Sequence, residues 1–287
     1  MATNGWERLG EASPRQLAPA RLLSHHAAQL VAAPGRSLAP PRPDDGHTSL
    51  EWTSPRSLAG QEVPGPRPWR AALRFDGPSL AVLSEGTEVG RFALQGRTRQ
   101  AAFEWLVERA RDLGVPVERL ALAPPYALAV HPYAEGAAFE APGDGSLAEV
   151  ARWFANANRL LRGLADTWPG AAAVRVWPHH FDIGTVLPLA GGQGEQSPSI
   201  GVGLSPGDDA VAEPYFYVTP WPPPKPAEPL PELRAGGRWY REGWTGAVLE
   251  AGVVVASGAA AAQAEAASAF LTDAVEVLRA RHARGGP

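Results

Sequence analysis

The order of segments in this 287-residue chain predicts an α+β fold of antiparallel sheets with packed helices. Three observations carry that prediction. Apolar residues recur at helical spacing in separated stretches, most clearly at Leu147, Val150, Phe154, Ala157, Leu161 and Leu164. Between those stretches lie short runs of alternating apolar and polar residues, divided by Gly, Pro and Asp turns. The runs come in groups of strands bracketed by helices, not in the strand–helix alternation of a parallel sheet.

Taken in order, residues 1–14 read as a flexible tail. Gln16–Val31 forms a helix with Leu23, Ala27 and Leu30 at its apolar spacing, and Pro34-Gly35 stops it. A rigid Pro40-Pro-Arg-Pro43 connector leads to a turn at Asp44-Asp-Gly-His47 and a strand reaching Trp52. Trp69–Phe75, Leu80–Leu83 and Glu88–Leu94 read as antiparallel strands, turned at Asp76-Gly-Pro78 and Glu85-Gly86. Thr98–Leu113 is an amphipathic helix closed by Gly114. Ser146–Trp168 is a second long helix, with Ser146 as N-cap and Glu149 completing a capping box. Strands follow at Trp177–Leu187, Ser199–Ser205 and Glu213–Thr219. Pro220–Pro231 is extended, Trp239–Leu249 and Val253–Ala256 are short strands, and Ala259–His282 is the last helix. The two series predict pseudo-repeated helix–sheet–helix halves, 15–145 and 146–287.

Composition narrows the function classes. With 45% hydrophobic and 20% charged residues the chain reads as a soluble globular protein. A formal charge of -4 supplies no basic field, so nucleic acid is not expected as a partner. No stretch is apolar and long enough to span a bilayer and no leader pattern is visible, so a cytoplasmic protein without membrane contact is expected. The absence of cysteine excludes thiol nucleophiles and Cys-ligated metals. Lys225, the only lysine, sits in a proline run, which argues against Schiff-base chemistry.

The candidate chemistry lies in the three consecutive strands from Trp177 to Trp221. Alternation puts His180, Asp182 and Gly184 on one face, Ser199, Gly201, Gly203 and Ser205 on the next, and Glu213, Tyr215, Tyr217 and Thr219 on the third. Stacked as a meander, these faces describe a glycine floor walled by proton donors and acceptors. His180 would act as base, Asp182 as its orienter, Glu213 as a second acid/base and Tyr217 as a polariser. Ser205, Tyr215, Trp221 and Trp244 would contact a ligand, the tryptophans by stacking. If the halves face one another, His47 joins His180 and Asp182 as a set for a divalent transition metal. The plainer alternatives are a structural His180–Asp182 hydrogen bond, an Asx turn at Asp44 or Asp45, and paired polar residues on a half-exposed strand. His25-His26, on the first helix, is a packing pair unless that helix crosses the pocket.

Trp177-Pro-His-His-Phe-Asp182, the Ser205-Pro-Gly207 turn and Glu213-Pro-Tyr-Phe-Tyr217 resemble an uncharacterised bacterial domain-of-unknown-function family. Its pattern is a Trp-x-x-x-Phe-Asp strand and a Glu-Pro-x-Phe-Tyr strand, after a helix and a His-containing strand like Asp45-Gly-His47. That family carries small residues where this chain has His179-His180, so the shared positions are Trp177, Asp182, Glu213 and Tyr217. The resemblance implies no activity. The residues therefore leave two function classes open. One is a metal-dependent or acid–base enzyme, of hydrolase or isomerase type, acting on a small molecule. The other is a non-catalytic small-ligand-binding module or a self-associating homo-oligomer.

Overall fold

The computed structural model describes residues 5–53, 56–128, 130–189, 197–225 and 229–284. The start of the expected tail and part of the 220–231 proline run fall outside them. The fold is α+β, and every strand pair with a defined register is antiparallel. The chain forms two compact units that do not follow the 15–145 and 146–287 division. One comprises residues 19–151 and 175–181; the other comprises 1–18, 152–174 and 182–287.

The first unit contains α1 (Ala18–Leu38), β1 (Leu50–Thr53), β2 (Ser57–Gly60), β3 (Trp69–Arg74), β4 (Ser79–Ser84), β5 (Thr87–Ala93), α2 (Arg99–Asp112) and β6 (Arg175–Trp177). Its strands lie in the order β6-β1-β2-β3-β4-β5. Leu23, Leu30 and Val31 of α1 are fully buried, as the apolar spacing predicts; each such burial is worth roughly 1.5–3 kcal/mol. Helix α1 nevertheless runs through Pro34 instead of stopping there. Pro34 forgoes one backbone bond, but Ala32, Ala33, Pro34 and Gly35 are all buried, and that packing carries the helix on. Gly35 and Gly60 are required by close approach: an added Cβ would lie 2.5 Å from the His47 carbonyl and 2.5 Å from the Val31 carbonyl, respectively. Strand β2, a four-residue segment too short to show a period, was not expected from the sequence.

The second unit holds most of α3 (Ser146–Ala165), then β7 (Asp182–Pro188), β8 (Ser199–Ser205), β9 (Tyr215–Trp221), β10 (Arg238–Tyr240), β11 (Gly246–Glu250), α4 (Ala251–Ala256) and α5 (Ala260–Arg284). Its strands run β7-β8-β9-β11-β10. One sheet face is apolar: Ile183, Leu187, Ile200, Val202, Leu204, Phe216 and Val218 are each 0% exposed. The Trp153 ring of α3 lies 6.2 Å from Phe216, and Phe270 of α5 occupies the space an added Cβ on Gly237 would need.

Several expectations are corrected. Residues 5–17 are docked, not loose: Trp6 and Leu9 are buried, and two amide side chains hold the segment. Gln263 accepts from Leu9 N–H and donates to its carbonyl, both at 2.9 Å, while Asn156 brackets Glu7 at 2.9 and 2.7 Å. Ser146 does not cap α3; Asp144 accepts the Ser146 N–H at 3.0 Å instead. Residues 238–250 fold as two strands with a turn between them, and Val253–Ala256 belongs to α4, not to a strand. No described helix is long and apolar enough to cross a membrane.

Candidate functional site

The expected strand Trp177–Leu187 is broken, and that break decides the fate of the histidine pair. Pro178–Phe181 forms a turn closed by Phe181 N–H to the Trp177 carbonyl at 2.7 Å, with Phe181 at φ 56°. A buried aromatic residue in the left-handed region is an uncommon conformation that interrupts alternation. His179 and His180 are therefore exposed on a turn of the first unit, whereas Asp182 begins β7 in the second. His47 lies in a single 3-10 turn, Gly46–Thr48, and its Nδ1 accepts the Arg42 N–H at 3.2 Å. Asp44 closes the Asx turn, accepting Gly46 N–H at 3.0 Å, and pairs with Arg175 at 3.1 Å. Among the described residues no group of three or more His, Asp or Glu could hold a metal ion, and His47 and His180 belong to the first unit whereas Asp182 belongs to the second.

From Asp182 onward the alternation holds, and the second unit's other sheet face carries the polar and aromatic residues in rows. Register aligns Gly184, Gly203, Tyr217 and Val248, then Val186, Gly201 and Thr219, then Pro188, Ser199 and Trp221. The glycines are not an open floor. A Cβ at Gly203 would fall 2.3 Å from Tyr217 Oη, and one at Gly184 would fall 2.8 Å from the same atom. The Tyr217 ring thus lies across its glycine neighbours, a cross-strand packing that glycine alone permits. Thr219 covers Gly201 in the same way, with Oγ1 2.6 Å from an added Cβ.

Two phenol–carboxylate pairs organise this face. Tyr217 Oη donates to Asp182 Oδ2 at 2.5 Å, and Tyr215 Oη donates to Asp208 Oδ2 at 2.6 Å. Burial, reinforced by the neighbouring carboxylates, raises both phenols above their ordinary value, so they stay protonated donors. Asp208 is itself fixed by the turn after β8: its Oδ1 accepts Ala210 and Val211 N–H at 2.8 and 2.9 Å, and Ser205 Oγ accepts Gly207 N–H at 3.2 Å. Tyr215, Tyr240, Val211 and Val248 form one buried cluster, with Trp244 stacked 6.4 Å from Tyr215 and tilted against Tyr240 at 4.8 Å. Glu213 is not on this strand face. It precedes β9 and accepts Gly252 N–H at 3.4 Å.

Of the predicted residues, Asp182, Ser205, Tyr215, Tyr217 and Trp244 come together around this network; Glu213 does not join it, and His47 and His180 belong to the first unit. Trp221 sits at the far end of the same face, 45% exposed, and Val186 in the adjoining row is 46% exposed. Asp208, Tyr240 and Val211 were missed. The Ser205-Pro-Gly-Asp208 turn was visible, but nothing local says its carboxylate folds back onto Tyr215. In the first unit, Tyr126 and Gln29 were missed as well: Tyr126 Oη donates to Gln29 Oε1 at 2.8 Å, and Gln29 Nε2 donates to the Pro178 carbonyl at 2.6 Å. His25 approaches that carbonyl through Nε2 at 2.9 Å and stacks on Phe181 at 5.4 Å, a packing role that burial enforces by lowering its pKa to about 4.

Comparison of the chain with protein-family models, with curated proteins and with solved structures finds no match.

Proposed function

We propose that this chain is a small-ligand-binding module whose site is the open end of the tyrosine face. The observation that carries the reading is Trp221: a large apolar ring, 45% exposed, on the same strand face as Tyr215, Tyr217 and Thr219. An exposed Val186, the Thr219 hydroxyl over Gly201, and half-buried Ser199 adjoin it in the neighbouring rows. That combination suits a ligand with a flat apolar or aromatic face and a hydrogen-bonding edge: Trp221 supplies the stacking surface, and Ser199 and Thr219 supply donors and acceptors. The phenol–carboxylate pairs further along the sheet hold Tyr217 and Tyr215 in place beneath it.

This reading is favoured over acid–base catalysis because the groups suited to proton transfer are engaged with one another. Tyr217 is held on Asp182, Tyr215 on Asp208, and Glu213 on a backbone N–H. A thermal-shift screen with nucleosides, aromatic acids and monosaccharides tests the proposal, run on the protein and on Trp221→Ala in parallel. Compounds that raise the melting temperature of the parent but not of the variant support it. A panel in which nothing binds, or in which hits bind both proteins equally, refutes it.

A further inference from the structure

The first unit contains an imidazole contact that the ligand face does not use. His26 of α1 is 2% exposed, and its Nδ1 is buried without a hydrogen-bond partner among the described residues. Two rings cover it: His131 at 5.2 Å and Tyr133, edge-on, at 5.8 Å. Both belong to the segment 131–139, which stands on two unlike anchors. At its far end Phe139 is fully buried, with its carbonyl accepting Gly96 N–H and its N–H donating to the Arg97 carbonyl, both at 2.8 Å. That anchor contains no titratable group. At its near end the segment meets α1 through the His131 and Tyr133 rings, just after Val130, which is 88% exposed.

The near anchor is sensitive to protons through the buried imidazole of His26. His131 Nδ1 accepts the Tyr133 N–H at 3.3 Å and so caps the 3-10 turn Pro132–Glu135, which sets its ring beside His26. A proton on His26 would place a charge in a buried site. The charges acting on it there are His25 on the same helix, His131 on the segment and Arg99 at the start of α2, all of one sign. Burial, with those neighbours, already lowers its pKa to about 4.

We infer that the His26–His131 contact is an acid-released clasp: with His26 neutral it seats the strap 131–137 on α1, and a proton on His26 lets the strap lift while the Phe139 anchor holds. Once the strap opens, His26 regains water and its affinity for protons rises towards the ordinary value. The gap between at most 6.5 and about 4 then favours the open form by up to about thirtyfold on going from about pH 7.5 to about pH 5.

Hydrogen exchange on the intact chain, corrected for the intrinsic pH dependence of exchange, tests this. The amides of Tyr133, Ala134 and Ala137 should lose protection by about that factor over that pH range, while Gly96 and Phe139 keep theirs. His131→Asn, which retains a side-chain acceptor for the turn but removes the ring and the like charge beside His26, should narrow the gap and flatten part of the response. His26→Phe should flatten the remainder; if it does not fold, His131→Asn decides alone. Uniform loss of protection across the first unit overturns the inference. So does a response as steep in His131→Asn as in the parent.

Discussion

Replacing Gly203 by alanine separates the two meanings a glycine stripe can have. If the stripe were the floor of an open pocket, a methyl group there would cost little stability. The structure puts Tyr217 in that space instead. A Cβ at Gly203 falls 2.3 Å from Tyr217 Oη, 2.4 Å from its Cζ and 2.5 Å from the Ile183 carbonyl. Each is about 1 Å inside the favourable carbon contact of roughly 3.5 Å. One of the three atoms is backbone of the neighbouring strand, so the clash is not relieved by turning a side chain. Overpacking of this kind costs about 1–3 kcal/mol. Displacing the phenol also breaks its charge-assisted bond to Asp182, worth about 1.5–3 kcal/mol. Alanine's better backbone entropy returns at most about 1 kcal/mol, leaving a net loss of about 1.5–6 kcal/mol. Gly201→Ala is the internal control. Its Cβ meets Thr219 Oγ1 at 2.6 Å and nothing else closer than 3.9 Å, so rotation of Thr219 relieves it at a cost within about 1 kcal/mol. Urea unfolding followed by tryptophan fluorescence and by circular dichroism measures both. If Gly201→Ala destabilises as much as Gly203→Ala, the packing argument is wrong.

Other consequences follow from the same geometry. The His25 pKa lies at about 4 in the folded chain, below its ordinary 6.5, so its contribution is fully present above pH 6.5 and is lost as pH falls through about 4. That gap corresponds to about 3 kcal/mol, and His25→Gln should make stability correspondingly less steep between about pH 7 and about pH 4; an unchanged slope would count against it. Asp208→Ala removes the acceptor of Tyr215 and of two backbone N–H groups and should cost about 2–4 kcal/mol, read as a lowered melting temperature. Glu213→Gln keeps an oxygen for the Gly252 N–H and should change stability by less than about 0.5 kcal/mol. A large loss there would restore Glu213 to the site.

What could be seen in the sequence was whatever depends on local period and local turn chemistry. The apolar faces of α1 and α3, the Asx turn at Asp44, and the alternation of Ser199–Ser205 all follow from side-chain geometry within a few residues. So did the placing of Asp182, Tyr215 and Tyr217 on one sheet face. The histidine pair shows where such inference stops. Alternation carried His180 onto the face of Asp182, but it cannot register a residue whose backbone enters the left-handed region, and Phe181 at φ 56° does so between them. The tail failed for a related reason: Trp6 and Leu9 have no period of their own, and Asn156 and Gln263, far along the chain, hold the segment in place.

The sequence by itself determined the α+β class, most of the elements and the chemical character of the tyrosine face, because these are set by spacing and composition. Only the tertiary structure decided that Tyr217 fills the glycine stripe, that Asp208 returns to Tyr215, and that His26 meets His131. Those contacts join residues whose proximity depends on strand register and on the path of turns, and neither is encoded in any single segment.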